Sequence, residues 1–361
     1  MHTIATTRPQ YFQLSKEDSK MLQGVAVLFM LYHHLFGFSD RTPKNLLLHD
    51  LGGTSVEQIV AIVMCTCVPI YVFLTGYGHS ASDKVLTPSS SFAAQIGRCF
   101  AISLQSLGKF ISKYWLVLVI FLPYGFFSGT FSFAWDTLFL TILGLDCKYN
   151  AEFWYVGEYI RLLLFTPLAR TSFIYFFNKE KRGSMLAKCI VSVVAIAVSC
   201  FLMDRIATIV AYALGFAFEK IQRKIPEPSQ NNFVFGVLFL LFEILSLLFF
   251  VIPSGQPISL WLAIASPITV FSLTEMLRHS RMSLVLQWYG KLSLWIWLTH
   301  TFFCYYYAKK IIYAPRYPFT VFAWLLLVST VAAIVLEKIH IFCRKANKYF
   351  PNFSLHFELI K

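Results

Sequence analysis

Two adjacent imidazoles, His33 and His34, lie inside the first membrane-length apolar run, Met21–Phe38 (MLQGVAVLFMLYHHLFGF). An imidazole within hydrocarbon is costly and ordinarily faces the bundle interior or a watery cavity, so it marks a functional-site hypothesis by default. A neutral imidazole is also well suited to take a proton from a weakly acidic hydroxyl near neutral pH. Helix geometry separates the pair. At 100° per residue the eleven steps from Gln23 to His34 leave about 20° of offset, whereas His33 lies about 80° to the other side. Lys20, fourteen residues before His34, returns to within about 40° of it over about 21 Å of rise. One helix face therefore joins an inner cation to an outer base, and His34 rather than His33 is the candidate. A third imidazole, His300, falls in the outer half of a late apolar run, Trp288–Ala308, at a depth similar to that of His34. There it can orient His34, meet a substrate or hydrogen-bond a neighbouring helix.

Composition identifies the elements that must position these groups. Hydrophobic residues make up 57% of the 361 and charged residues only 14%, which excludes an ordinary soluble domain. The chain reads as all-α, a polytopic integral membrane helix bundle. With about 20 apolar residues needed per crossing, about ten spans are predicted near Met21–Phe38, Val56–Tyr77, Tyr114–Phe127, Phe153–Phe177, Met185–Met203, Ile206–Phe218, Phe233–Ile252, Ile258–Leu277, Trp288–Ala308 and Phe319–Leu336. The shorter apolar stretch Phe131–Leu145 reads as a re-entrant or interfacial segment. Residues 1–20 then form a cytoplasmic N-terminal tail, 21–342 the transmembrane domain and 343–361 a cytoplasmic C-terminal tail. Both ends are assigned to the cytoplasm because 22 of the 31 basic residues fall in the tails and alternate connections on that side, against seven on the other. The first 20 residues are polar and the first apolar run lacks a small-residue cleavage site, so that run is expected to remain as span one of a plasma-membrane protein.

The formal charge of +13 is accounted for by this inside bias and by anionic membrane lipid. No basic stretch interleaved with stacking aromatics suggests nucleic acid. The eight cysteines are spaced for neither a zinc site nor a disulfide framework, so no metal is expected and they read as packing residues. Glu158 and Arg161, three apart, most simply satisfy one another.

Several segments, in order, resemble the integral-membrane acyltransferases of family three, which O-acylate bacterial cell-surface carbohydrates. Gln23-Gly24 through His33-His34, Pro69 to Thr75-Gly76-Tyr77, and Gly144-Leu145 followed by Phe153-Trp154-Tyr155 and Pro167 are similar to family motifs. So are Tyr212-Ala213-Leu214-Gly215-Phe216 and Tyr289-Gly290-Lys291 through His300. Two positions depart from the pattern. Gln23 stands where the family usually places arginine or lysine, and the basic pair expected before the third span appears as Lys109 and Lys113 without a following proline. Either Lys20 replaces the missing charge or donor binding is weakened.

The resemblance implies an O-acyltransferase, most simply an O-acetyltransferase. Its donor would be cytoplasmic acyl-coenzyme A, with phosphates held by Lys20, Gln23, Lys109 and Lys113. Its acceptor would be a carbohydrate hydroxyl, with Tyr77, Trp154 and Tyr155 as candidate contacts, although interfacial anchoring also suits the two aromatics that open the span. His34 would act as general base, or as an acyl-carrying nucleophile, with His300 as the second candidate. The competing expectation is a transporter or flippase of an envelope glycan or lipid precursor, because prolines and polar groups within spans are also transporter traits. A non-catalytic homologue is the third, and Gln23 is the feature that favours it.

Overall fold

The computed structural model describes residues 11–83, 92–177, 205–222, 232–251 and 258–349; the expected span Met185–Met203 lies outside them. The described residues are helical, with an isolated Asp50–Ser55 bridge and no strand among them. In chain order the helices are α1 (Lys16–Phe36), α2 (Val56–Met64), α3 (Cys67–Asp83), α4 (Phe92–Phe127), α5 (Trp135–Ile142) and α6 (Trp154–Phe177), the last entered through a 3-10 turn at Ala151–Phe153. Then come α7 (Ile206–Ile221), α8 (Asn232–Ser246), α9 (Ile258–Leu277), α10 (Met282–Thr301), α11 (Lys309–Ile312) and α12 (Pro318–Tyr349). π turns follow α8 at Leu247–Val251 and α10 at Phe302–Tyr307. Four described segments are long and apolar enough to cross a membrane: Val56–Ser82, Ala93–Phe127, Ile258–Leu277 and Pro318–Lys345.

The chain divides into two compact units, residues 1–26, 65–85 and 207–291, and residues 27–64, 86–206 and 292–361. In the first, α1 opens with a capping box. The Ser15 hydroxyl accepts from the Asp18 amide at 3.0 Å, and the Asp18 carboxylate accepts from the Ser15 amide at 2.9 Å. Arg278 donates to the same carboxylate at 3.0 Å and lies 5.1 Å over the Phe12 ring. Phe12 and Leu14, expected in a polar tail, are buried. The motif glycines are places where backbones touch. A Cβ at Gly24 would stand 1.9 Å from the Leu286 carbonyl oxygen, and one at Gly290 would stand 1.9 Å from that of Lys20, so α1 and α10 are in contact. Gly76 and Gly215 do the same for α3 and α7, against the Tyr212 and Phe73 carbonyls.

Within the second unit α4 departs from expectation. The apolar run suggested a span beginning at Tyr114, yet the helix starts at Phe92 and runs 36 residues, placing Lys109 and Lys113 inside it rather than in a connection. Fourteen residues rise only about 21 Å, too little to cross, and charged residues do not themselves end a helix. The expected span Val56–Tyr77 falls within the membrane-length segment Val56–Ser82, which is built of two helices parted at Cys65 and Thr66. Pro69 explains the break: its ring clashes with the carbonyl four residues back, whereas within the first turn of α3 its missing N–H leaves nothing unsatisfied. The stretch 131–145 holds the eight-residue α5, too short to cross. Gly144, at φ 71°, ends it: Leu145 N bonds to Leu140 O at 2.8 Å and Gly144 N to Thr141 O at 2.9 Å, closing the last turn as a Schellman motif. Tyr114 and Trp115 of α4 donate to the carbonyls of Thr141 and Ile142 at 2.6 and 2.9 Å, which fastens the end of α5.

Candidate functional site

The second unit gathers His34, His300, Glu152 and Arg41. His34 stands in the last turn of α1, where carbonyls have no partner within the helix. Side chains supply partners: Tyr305 Oη donates to His34 O at 2.5 Å, and Tyr313 Oη and the Thr42 hydroxyl both donate to Leu35 O at 3.2 Å. The end of α1 is thus fixed by the π turn, α11's C-cap and the following loop. His300 is fully buried near the end of α10, and its Nδ1 lies 2.8 and 3.1 Å from the carbonyls of Trp297 and Ile296. Glu152 comes from the 3-10 turn before α6. Asn150 caps that turn, its Oδ1 accepting from Glu152 N at 3.2 Å while its Nδ2 donates to Thr301 Oγ1 at 2.7 Å. Ala151 N donates to Tyr306 Oη at 3.0 Å. The segment carrying Glu152 is therefore clamped to residues immediately after His300.

Hydrogen-bond accounting assigns the protons. Carbonyl oxygens only accept, so His300 Nδ1 bears the hydrogen and its Nε2 presents a lone pair. His34 Nδ1, 2.7 Å from that Nε2, is consequently the donor. His34 Nε2 then faces Glu152 Oε2 at 3.1 Å, and a lone pair opposite a carboxylate would repel, so this contact holds one further proton. The other carboxylate oxygen accepts from Arg41 at 2.6 Å. Burial works to raise the Glu152 carboxyl, but the bonds and charges of His34 and Arg41 overcome it and hold the group at about 2. Arg41 also lies 4.6 Å over the Phe38 ring and 5.0 Å over Tyr305, with its side chain 33% exposed.

The two neighbouring histidines part as the helix period predicts. His33 turns to α2, with Nδ1 2.7 Å from Ala61 O, while His34 meets His300 and Glu152. Elsewhere Lys20 Nζ donates to Gln23 Oε1 at 2.9 Å, in the first unit. In the second unit Lys109 is exposed on α4, whereas Lys113 pairs with Glu337 at 3.1 Å and lies 4.8 Å over Trp295. Tyr77 is engaged in the first unit, its hydroxyl 3.0 Å from both Leu14 O and Gln222 Oε1. Trp154 lies 3.9 Å beneath the Arg205 guanidinium, and Tyr155 is buried against Trp297. Glu158 and Arg161 do meet, at 3.6 Å. Sequence reasoning missed Glu152 and counted Arg41 only as loop charge. The available signal was a carboxylate directly before an aromatic helix start, Glu152-Phe153-Trp154.

A family model described as an acyltransferase domain, that of acyltransferase family 3, matches residues 18–338. No curated protein and no solved structure matches the chain.

Proposed function

The chain belongs to acyltransferase family 3, and from that premise we propose an integral-membrane O-acyltransferase that moves an acyl group, most simply acetyl, from cytoplasmic acyl-coenzyme A to a hydroxyl of a cell-surface or exported carbohydrate. The observation that supports it best is the ordered pair His300–His34. His300, anchored by backbone carbonyls, accepts from His34 Nδ1, which leaves Nε2 as the basic atom of a neutral His34. Fixing the tautomer of a base through its other nitrogen is how an imidazole is readied for proton transfer. Once the proton resting between Nε2 and Glu152 has passed to solvent, the hydroxyl gives its proton to Nε2 as its oxygen attacks the thioester carbonyl. The C–S bond then breaks, and the same proton passes to the departing thiolate, so no proton is gained or lost overall. His300 acts here as a positioning residue.

We keep about ten spans, both termini cytoplasmic and a plasma-membrane location as the proposed topology. For the donor phosphates Lys20, Gln23, Lys109 and Lys113 remain the candidates; of the two lysines on α4, Lys109 is exposed, whereas Lys113 already has Glu337 as counter-charge. Purified protein given labelled acetyl-coenzyme A and a carbohydrate acceptor should move label to the acceptor. Lys109→Gln or Lys20→Gln should weaken donor binding and its salt sensitivity, and Gln23→Arg should strengthen it. Absence of both transfer and donor hydrolysis, with glycan translocation in vesicles instead, would replace this reading with a transporter.

A further inference from the structure

The second partner of His34 points beyond the base itself. Resting on the reading of His34 as base, we propose that Glu152 is the positioning residue of the acceptor side. In the resting protein it occupies the Nε2 position that the acceptor hydroxyl must take, and after proton transfer it holds the resulting imidazolium. Arg41 is the outer member through which the acceptor enters. The geometry gives each step. Every contact of the chain His300–His34–Glu152–Arg41 is complete with one proton shared between His34 Nε2 and Glu152, which matches the proton-loaded half of the transfer cycle. The hydroxyl must therefore arrive at Nε2 against Glu152. Its way in is set by exposure: His300 is fully buried, the side chains of His34 and Glu152 are each 9% exposed, and that of Arg41 is 33% exposed. Glu152 itself is held from behind by Asn150–Thr301 and Ala151–Tyr306, so displacement of the Arg41 guanidinium is the local opening.

The charged and titratable groups facing this point come from each neighbouring element. They are His33 on α1, Asp40 and Arg41 on the following loop, Cys147 ahead of the 3-10 turn, Glu152 on that turn, His300 on α10, and Cys304, Tyr305 and Tyr306 on the π turn. Among these only Glu152 places a carboxylate on His34. Replacing it with an amide keeps the shape and removes the charge that favours the loaded form.

The test is the pH profile of acyl transfer for the full chain and for Glu152→Gln, Arg41→Ala and Arg41→Lys, beside histidine nitrogen NMR of the same proteins without substrate. In Glu152→Gln the rising limb of rate against pH should move to lower pH, because the carboxylate facing Nε2 is gone, with a maximal rate at least tenfold lower. Arg41→Ala should raise the acceptor KM while leaving donor KM unchanged, and Arg41→Lys should restore most of it. In the NMR experiment the His34 Nε2 signal should carry the signature of a hydrogen bond to the Glu152 carboxylate in the parent chain and lose it in Glu152→Gln, with His34→Ala identifying its signals. An unmoved limb in an active Glu152→Gln protein, or a His34 Nε2 signal the same in both proteins, would overturn the proposal. The NMR outcome needs no turnover, so it decides the role of Glu152 even if the parent chain transfers no acyl group and the acyltransferase reading falls.

Discussion

Removing the imidazole of His300 while filling its volume, with His300→Phe, isolates what the pair of histidines does. The side chain is fully buried, so the phenyl ring replaces packing, but His34 Nδ1 loses its 2.7 Å acceptor. In the transition state that donor belongs to an imidazolium, and a hydrogen bond to a charged group is worth about 1.5–3 kcal/mol, which corresponds to about a ten- to 150-fold loss of rate. The loss should fall on kcat with donor KM unchanged, because the bond is strengthened only as the proton moves. His300→Gln should recover part of the rate, since an amide oxygen can accept from Nδ1. His34→Ala should cost about 10²–10⁴-fold as removal of the base. His33→Ala removes only the bond to Ala61 O and should cost about 1 kcal/mol of stability with little change in turnover. The assay is transfer of labelled acetyl-coenzyme A, with thermal unfolding as the control for folding. A fully active His300→Phe, or equal losses in His33→Ala and His34→Ala, would refute the assignment of base and positioning residue.

Acid should act on the same cluster. The Glu152 carboxyl is lowered from 4.5 to about 2 in the folded protein, so it contributes stability that is fully present above pH 4.5 and is lost as pH falls towards 2; thermal unfolding across that window should show a larger loss in the parent chain than in Glu152→Gln. At the helix contact, Gly24→Ala and Gly290→Ala force a methyl into a neighbouring carbonyl and should each cost about 1–3 kcal/mol in unfolding experiments, whereas Gly78→Ala, with nothing within 4 Å of the added carbon, should be neutral or stabilising. Cysteine tags beside Lys16 and Lys345 should react only from the cytoplasm and those beside Lys44 and Lys310 only from outside; labelling at 345 from outside would break the proposed even number of spans.

What could be read from the chain followed from periodicity. The 100° step alone separated His34 from His33, and the structure sends them to different partners. Apolar runs found the helices but not their ends. Lys109 and Lys113 interrupted the run that became α4, because hydropathy registers charge whereas the helix backbone does not. The counter-charge that accommodates Lys113 is Glu337, on α12 far along the chain. Glu152 and Arg41 escaped for a related reason. Both lie in connections without a period, and they meet His34 only through contacts such as Asn150–Thr301, which join residues 151 positions apart. The motif glycines were visible as letters, but the Leu286, Lys20, Tyr212 and Phe73 carbonyls they admit were not.

The π turn after α10 has a bearing on how related chains can change. A π turn holds one residue more than an α turn, and here three consecutive tyrosines reach three different backbones: Tyr305 the His34 carbonyl, Tyr306 the Ala151 amide and Tyr307 the Phe121 carbonyl. Loss of a single residue between 302 and 307 would let the segment relax to an α register and swing all three rings off their partners at once. A one-residue gap at this point in an alignment of relatives would therefore mark a rebuilt setting for His34 and Glu152, not neutral drift in a surface connection.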